Sequence, residues 1–567
     1  MAPLDALAAQ WRARARHVIF DADFGDGARH RAVLAAWRAD PQRPRHLHYI
    51  ACAEPGAAQL PPGFHRMAAP PHTTLDLLCA APAAALAQLD ASIDTCLLDG
   101  MPAGIAWVRA LARRCEAGTT LGAAHLEAEQ IAALGAAGFT FAPAGPGAYL
   151  SAVFASRRPH APADRRVDRP AAGCASGVEQ RAIVLGAGLA GAAICERLCA
   201  RGWQVTLLER HPQAAQEASG NHAGIFMPLL ARGDNPSVRL TRAAFLYALH
   251  TWERLGGIGA AIEGAHCGVL QLARDAAHAQ AQREIAARAP WPQHAQWLEA
   301  PAASALAQVP AASGAWLFPH GGWAHPASVC AALLAACGAR LAPRYGTGTL
   351  ALRHEHGQWQ AHAPDGAMLA RAPTLILANG CGALELPQAG ALPLAPVRGQ
   401  VTYLDARNAP ALTHVLCGAV YVTPAAGGIV SVGASYDMDA DRALRAASQH
   451  ENLAGLRALL HDANAGSDAP LRGRVGFRCV APDRLPLVGA LAQAHCAGRV
   501  ERLREMPRQD GLYGLLGLAS RGLVWAPLAA ELLAAQIAGE VAPLEANLVA
   551  ALDPARFLLA QLRRAAQ

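Results

Sequence analysis

RAIVLGAGLAGAAICERLCARGWQVTLLER, residues 181–210, holds a complete strand–turn–helix–strand unit. The apolar run AIVL (182–185) reads as a strand, and Gly186-Ala187-Gly188-Leu189-Ala190-Gly191 follows it at once. The glycines open a helix running to about Ala200, and QVTLL (204–208) is a second strand ending in Glu209. In that context the spacing is a dinucleotide fingerprint. Gly186 makes the tight turn, Gly188 lets backbone approach a pyrophosphate, and Gly191 lets helix and strand pack closely. The helix N-terminus stabilises the phosphates, and Glu209 accepts hydrogen bonds from a ribose. The bland alternative is a glycine-rich βαβ unit that holds no ligand.

Two further segments point to FAD rather than a nicotinamide. EASGNHAGIFMPLL (217–230) follows closely on Glu209, and its Ser219, Gly220, Asn221 and Gly224 form a polar loop near where ribose and pyrophosphate would lie. Much later, GLYGLLGLASRGLVWAPLAAELLAAQIAG (511–539) reads as a strand, a glycine turn and an apolar helix. The turn from Gly517 through Ser520 to Gly522 can aim backbone N–H groups at a flavin ring. Cofactor segments this far apart predict an FAD-binding domain interrupted by a substrate domain.

The remaining chain is organised around that unit. At 567 residues it exceeds the roughly 100–200 residues usual for one domain. Hydrophobic content of 53 % and charged content of 16 % suit large packed cores and exclude a disordered chain. RRPHAPADRRVDRPAAGCASGVEQ (157–180) lacks apolar periodicity and reads as a linker. Before it, residues 1–156 alternate strand candidates HVIF (17–20), HLHYIAC (46–52), TCLLD (95–99) and YLSAVFA (149–155) with helical stretches such as 29–39 and 105–115. That rhythm predicts a mainly parallel sheet.

All 49 basic residues are arginine, and the formal net charge is +6. The balance permits RNA as a partner without requiring it. The absence of lysine excludes any mechanism built on a catalytic lysine. The 14 cysteines contain no CxxC, so neither a metal site nor a disulfide framework is expected. No apolar run reaches the length of about 20 residues that spans a bilayer. MAPLDALAAQWRARARH (1–17) carries its charges after its apolar residues, the reverse of a secretory signal, so a cytoplasmic protein without a membrane segment is the expectation.

Residues 181–567 resemble the D-amino-acid-oxidase-type flavoproteins, the group with glycine oxidase and sarcosine oxidase. They are more closely similar to the oxidoreductase half of the bifunctional tRNA 5-methylaminomethyl-2-thiouridine biosynthesis family. The matching stretches occur in order: the fingerprint, ASGNHAGIFMPLL, FPHGGWAHPASV (318–329), LILANG (375–380), VRGQVTYL (397–404), YVTPAAGGIVSVGASY (421–436), GRVGFRCVAPDRLPLVG (473–489) and GLASRGLVWAPLAAELLAAQ (517–536). The resemblance implies FAD-dependent oxidation of the C–N bond of a carboxymethylaminomethyl group on the wobble uridine of tRNA. The imine then hydrolyses to an aminomethyl group and glyoxylate. It also implies site residues. Arg478 matches an arginine that binds the substrate carboxylate, Tyr421 a tyrosine on the substrate side of the flavin, and Arg521 lies at the flavin or substrate edge. His222, His320 and His325 fall inside cofactor-type motifs but read as packing or hydrogen-bonding residues.

In this family the N-terminal half is an S-adenosylmethionine-dependent methyltransferase, and residues 1–156 resemble it sparsely. VIFDADFGDGARH (18–30) stands where the family has a strand and a loop of the form E-x-G-F-G-T-G. Asp21, Phe24, Gly25 and Gly27 fit, but Asp23 replaces a glycine and Asp26 a hydroxyl residue. Glu54 falls one residue late for a ribose-binding acid, Asp99 and Gly100 match an LDGFAP-type motif, and GAAGF (135–139) matches a late helix-to-strand turn. Asp23 puts a Cβ and a charge where backbone should lie close to the cofactor. Two readings follow: a domain of this fold kept for folding or tRNA docking, which is favoured, and a live methyltransferase that uses S-adenosylmethionine to convert the aminomethyl group to methylaminomethyl, since the sulfonium charge tolerates acids nearby.

The expected fold class is α/β and α+β: a Rossmann-like methyltransferase-type domain, then an FAD-binding Rossmann domain interrupted by an antiparallel-sheet substrate domain. Two other functions compete with tRNA oxidation. One is a small-molecule oxidase or dehydrogenase for glycine, sarcosine or a D-amino acid. The other makes the first half a non-catalytic RNA-binding module, supported only by arginine clusters such as RARAR (12–16). The sequence leaves oligomeric state, electron acceptor and tRNA identity open.

Overall fold

The computed structural model describes residues 10–12, 14–54, 60–67, 69–143, 149–155, 179–288, 292–466, 471–494 and 500–565. The linker read at 157–180 lies outside these residues except for 179 and 180. The chain forms two compact units, Met1–Val178 with Ala535–Ala550, and Glu179–Ala534 with Ala551–Gln567.

The first unit is built on an eight-stranded sheet. Its order is Gly63–Met67, Thr73–Cys79, His46–Ala53, Arg16–Asp21, Ile93–Leu97, Cys115–Ala123, Leu150–Phe154 and Phe139–Phe141. The five strands from Thr73–Cys79 to Cys115–Ala123 run parallel, and antiparallel strands close both edges. Consecutive residues of the two central strands are buried on both faces, so HVIF and LHYIACA read as near-continuous apolar runs. Chain order reverses between Arg16–Asp21 and Ile93–Leu97, which places a ligand crevice at their carboxyl ends. The segment after the last long helix also belongs here: Val541 lies in this core, and its carbonyl accepts from Arg66 at 2.8 Å.

One local reading differs from the structure. The helix expected over 105–115 is only Val108–Ala112. It stops because Arg114 turns inward, donating to the carbonyls of Leu89 and Ala87, and Cys115 begins the next strand. That strand was illegible because Glu116, Ala117 and Gly118, with φ +91°, interrupt its apolar pattern. The arginines of the RARAR cluster also make pairs within the chain, with Arg12 and Arg14 left about half exposed. Arg12 pairs with Asp40 at 3.0 Å, Arg14 with Asp94, and Arg16 donates to the carbonyl of Gly539.

His17 is buried on the first strand beside Thr95. Burial, with Arg14 nearby, pulls its pKa down to about 3. Between that value and its unfolded value near 6.5 the unfolded chain binds the extra proton, so stability rises with pH through this window. From pH 8 to pH 5 the first unit is expected to lose about 2 kcal/mol. Hydrogen exchange on strand Arg16–Asp21 measures it, and a His17→Gln variant should flatten the slope.

The second unit pairs two large sheets. The first has the order Leu341–Arg344, Gln204–Leu208, Arg181–Leu185, Thr374–Leu377, Arg508–Leu516 and Leu487–Ala492. It is parallel except for its last strand. The second has eight strands: Gln296–Leu298, Ala315–Phe318, Val269–Leu272, Val415–Cys417, Tyr421–Val422, Ile429–Gly433, Ala395–Asp405 and Arg472–Val480. It is antiparallel except where Val269–Leu272 meets Val415–Cys417. The fold class expected from the sequence is the one observed. No described helix is long and apolar enough to cross a membrane.

Candidate functional site

A cleft of about 730 Å³ in the second unit opens at the carboxyl ends of strands Arg181–Leu185 and Thr374–Leu377 and runs to the larger sheet. The fingerprint glycines shape its inner end. Gly186 has φ +98°, and a Cβ there would lie 2.8 Å from the carbonyl oxygen of Ala378. A Cβ on Gly188 would sit 3.0 Å from Ser219 Oγ. Gly191 faces the turn rather than the cleft, and its Cβ would fall 1.7 Å from the carbonyl oxygen of Gly186. Backbone cannot yield there, so Gly191→Ala is expected to purify with less than a tenth of the wild-type flavin, read from visible absorbance per mole of protein.

Helix Leu189–Ala200 presents its N-terminus to the cleft, and the N–H of Leu189 donates to Ser219 Oγ at 3.1 Å. Glu209, at the end of the second strand, accepts from the N–H groups of Ala187 (2.6 Å) and His211 (2.9 Å). It thus braces the glycine turn while leaving further lone pairs for a ribose. Ser219, Asn221, Gly517, Ser520, Arg521 and Gly522 line the same cleft. The cleft fits a large polar dinucleotide. Two buried oxygens on its wall, Thr347 Oγ1 and Asn379 Oδ1, have no partner among the described residues, and such atoms want a ligand or water.

At the far end stand Tyr421 and Arg478. Tyr421 begins strand Tyr421–Val422, opposite Gly433. Burial pushes its phenol pKa up, so it stays a protonated donor. Arg478 lies on strand Arg472–Val480, where its side chain passes over Gly399 of the neighbouring strand. A Cβ on Gly399 would lie 2.4 Å from Arg478 Nη1, so only glycine leaves room for the guanidinium. Arg478 donates only to carbonyls, those of Ser435 (3.1 Å) and Arg398 (3.3 Å). No carboxylate pairs with it among the described residues, and burial lowers its pKa. Arg521, at the start of helix Gly522–Ala538, is lowered by burial too. Largely buried arginines with no paired carboxylate among the described residues are prepared for an anion.

Sequence reading did not single out Thr347, Asn379 or Glu217. Glu217 lines the cleft between His211 (2.8 Å), Arg210 (2.6 Å) and Arg442 (3.6 Å). Burial would raise its pKa, but the hydrogen bond to His211 and the charges of Arg210 and Arg442 hold it below the usual range. The three histidines fall outside the cleft lining. His222 bonds the carbonyl of Ala426 at 2.9 Å, His325 bonds Glu263 at 2.9 Å, and His320 packs against His294.

The first unit's crevice is arranged differently. Asp21, fully buried at the end of its strand, accepts from Tyr49 and Arg29. Arg29 reaches on to Asp99 at 3.1 Å. Asp99 also accepts from the N–H of Ala124. One guanidinium therefore bridges the two carboxylates on either side of the crevice. Asp23 packs against Gly100, where a Cβ would lie 2.6 Å from Asp23 Cβ, and its carboxylate accepts from the N–H of Gly25 at 3.0 Å. Gly27, with φ +77°, precedes helix Ala28–Ala39, and Phe24 packs beside it. Asp26 does not face the crevice: its side chain is largely exposed and accepts from the N–H of Ala28. Phe24, Gly25, Gly27 and Asp99 are thus together at this crevice, with the Arg29 side chain paired to both Asp21 and Asp99.

Comparison with known proteins agrees with this geometry. Residues 181–536 match the family described as FAD dependent oxidoreductase, and the second unit is a domain of that FAD-dependent type. A protein of Azoarcus sp. (strain BH72) named tRNA 5-methylaminomethyl-2-thiouridine biosynthesis bifunctional protein MnmC is 41 % identical over 99 % of this chain and 92 % of its own. One of the same name from Paraburkholderia phytofirmans is 37 % identical over 99 % of this chain and 93 % of its own. Among solved structures, iminodiacetate oxidase from Chelativorans sp. BNC1 aligns with TM-score 0.54 and 25 % identity, covering 64 % of this chain and 96 % of its own. Glycine oxidase from Geobacillus kaustophilus shares the fold with TM-score 0.55 at 21 % identity, covering 66 % of this chain and 99 % of its own.

Proposed function

The chain belongs to the MnmC family of bifunctional tRNA 5-methylaminomethyl-2-thiouridine biosynthesis proteins, and from that premise we propose that its second unit oxidises the carboxymethylaminomethyl group on the wobble uridine of tRNA. The secondary amine loses two electrons and two protons to become an imine. Water adds, glyoxylate leaves, and an aminomethyl group remains on the base. FAD, when bound, supplies the two-electron acceptor.

The observation that carries this reading is Arg478, a partly buried guanidinium that meets only carbonyls at the end of the cleft away from the fingerprint. It holds the substrate carboxylate in bidentate fashion. Tyr421, kept neutral by burial, donates beside it. Together they fix the tail so that its C–H bond faces the flavin. Gly186, Gly188, Glu209, Ser219, Asn221, Gly517, Ser520 and Gly522 cradle FAD, and Arg521 serves the flavin or substrate edge. A small-amine oxidase is disfavoured, because the MnmC relatives match 99 % of the chain, first unit included. A tRNA substrate supports the reading of a cytoplasmic protein.

We ascribe no methyl transfer to the first unit, because Arg29 spans its crevice. The deciding experiment is nucleoside mass analysis of tRNA incubated with purified protein, with and without S-adenosylmethionine. Conversion of the carboxymethylaminomethyl to the aminomethyl nucleoside is expected in both. Turnover of free glycine with no change in tRNA would sink the reading.

A further inference from the structure

Exposed large apolar side chains gather on one loop of the second unit: Tyr436, Met438 and Leu444 are 54 %, 71 % and 50 % exposed. The loop is anchored from below. Arg398, with no exposure, pairs with Asp437 at 3.0 Å and donates to the carbonyls of Asp441 (2.9 Å) and Ala443 (2.7 Å). Gln400 donates to the carbonyl of Arg445 at 2.9 Å, and Ser435 Oγ to Asp437 at 2.9 Å. A buried cation with this many bonds fixes the backbone, so the apolar side chains are held outward rather than left loose. The loop also borders the cleft, since Ala434, Ala440 and Arg442 line it. Its Tyr436 ring centroid lies 5.6 Å from the guanidinium carbon of Arg478.

We propose that Tyr436 is the platform on which the wobble pyrimidine stacks while Arg478 holds the carboxylate of its tail. This rests on the reaction proposed above. The carboxyl carbon and the base are joined through four single bonds of about 1.5 Å, a span of roughly 5 Å. A base tethered to Arg478 by that tail stays within reach of the Tyr436 ring. Bases of single-stranded RNA loops are read by splaying them onto aromatic faces. The position at the cleft rim, continuous with the carboxylate site, favours a base over a protein partner.

The test titrates the FAD-loaded protein, following the flavin spectrum, with 5-carboxymethylaminomethyluridine and with iminodiacetate, which has the same carboxymethylamine tail and no base. In Tyr436→Ala the ratio of nucleoside to iminodiacetate affinity is expected to fall about tenfold, the loss of one base–aromatic stack. Tyr436→Phe keeps the ring and is expected to keep the ratio. Equal weakening of both ligands means that Tyr436 merely steadies Arg478, and overturns the proposal, as does no change. If the wild type binds the nucleoside but not iminodiacetate, Tyr436→Ala must abolish nucleoside binding, and retained binding overturns the proposal. If the wild type binds neither ligand, the proposed reaction fails as well.

Discussion

Arg478→Ala is expected to lower kcat/KM on tRNA by a hundredfold to a thousandfold while FAD remains bound. The reasoning is local. The guanidinium meets no carboxylate among the described residues and spends hydrogen bonds on only two carbonyls, so most of its donors are free for a substrate. Losing a charge-assisted, bidentate contact in a partly desolvated site costs about 3–4 kcal/mol, which is the stated range in rate. The dinucleotide end of the cleft is formed by other elements, Gly186, Glu209 and Ser219, so flavin content should not follow the rate. Arg478→Lys should recover only part of the loss, because an ammonium cannot reproduce the planar fork. Steady-state kinetics with flavin quantified per mole is the measurement. Unchanged turnover in Arg478→Ala would remove the residue from the site.

The second large effect concerns the first unit. Wild-type protein with excess S-adenosylmethionine is expected to yield the aminomethyl nucleoside and no methylaminomethyl product. Its thermal unfolding should not respond to that ligand, although saturation at 100-fold the Kd would add about 2.7 kcal/mol. Arg29 explains both. It places a cation between Asp21 and Asp99, the two acids that the family resemblance sets in the cofactor motifs. Arg29→Ala removes the competitor but strands Asp21, whose pKa burial already raises. That variant should therefore be less stable by about 1–3 kcal/mol yet gain stabilisation from S-adenosylmethionine. A ligand-dependent shift or methylated product in the wild type would end this reading.

How legible these sites were follows from how local their physics is. The fingerprint was readable because each glycine answers a contact within its own βαβ unit or the adjoining strand end: Gly191 against Gly186, Gly186 against Ala378. Arg478 and Tyr421 were findable only through motif resemblance, since nothing near them in sequence marks a carboxylate site. Asp23 signalled trouble through the missing glycine, and its packing on Gly100 explains that signal. Asp26 signalled it through a missing hydroxyl residue and turned out to face solvent. Arg29 gave none, because an arginine in a first helical turn looks solvent-facing until its partners are known.

The sequence by itself determined the alternation of elements, the two nucleotide-type turns and the interrupted order of the second unit. These depend on hydrophobic period and on glycine's freedom, which act over a few residues. Only the tertiary structure decided what the turns can hold. It joined strands distant in sequence into one sheet, set Thr347 and Asn379 along the cleft, and left Arg478 bonded to carbonyls with no paired carboxylate among the described residues. It also carried Arg29 onto Asp21 and Asp99. Charge pairing depends on distance in space, and residues 29 and 99 become neighbours only when strands Arg16–Asp21 and Ile93–Leu97 align.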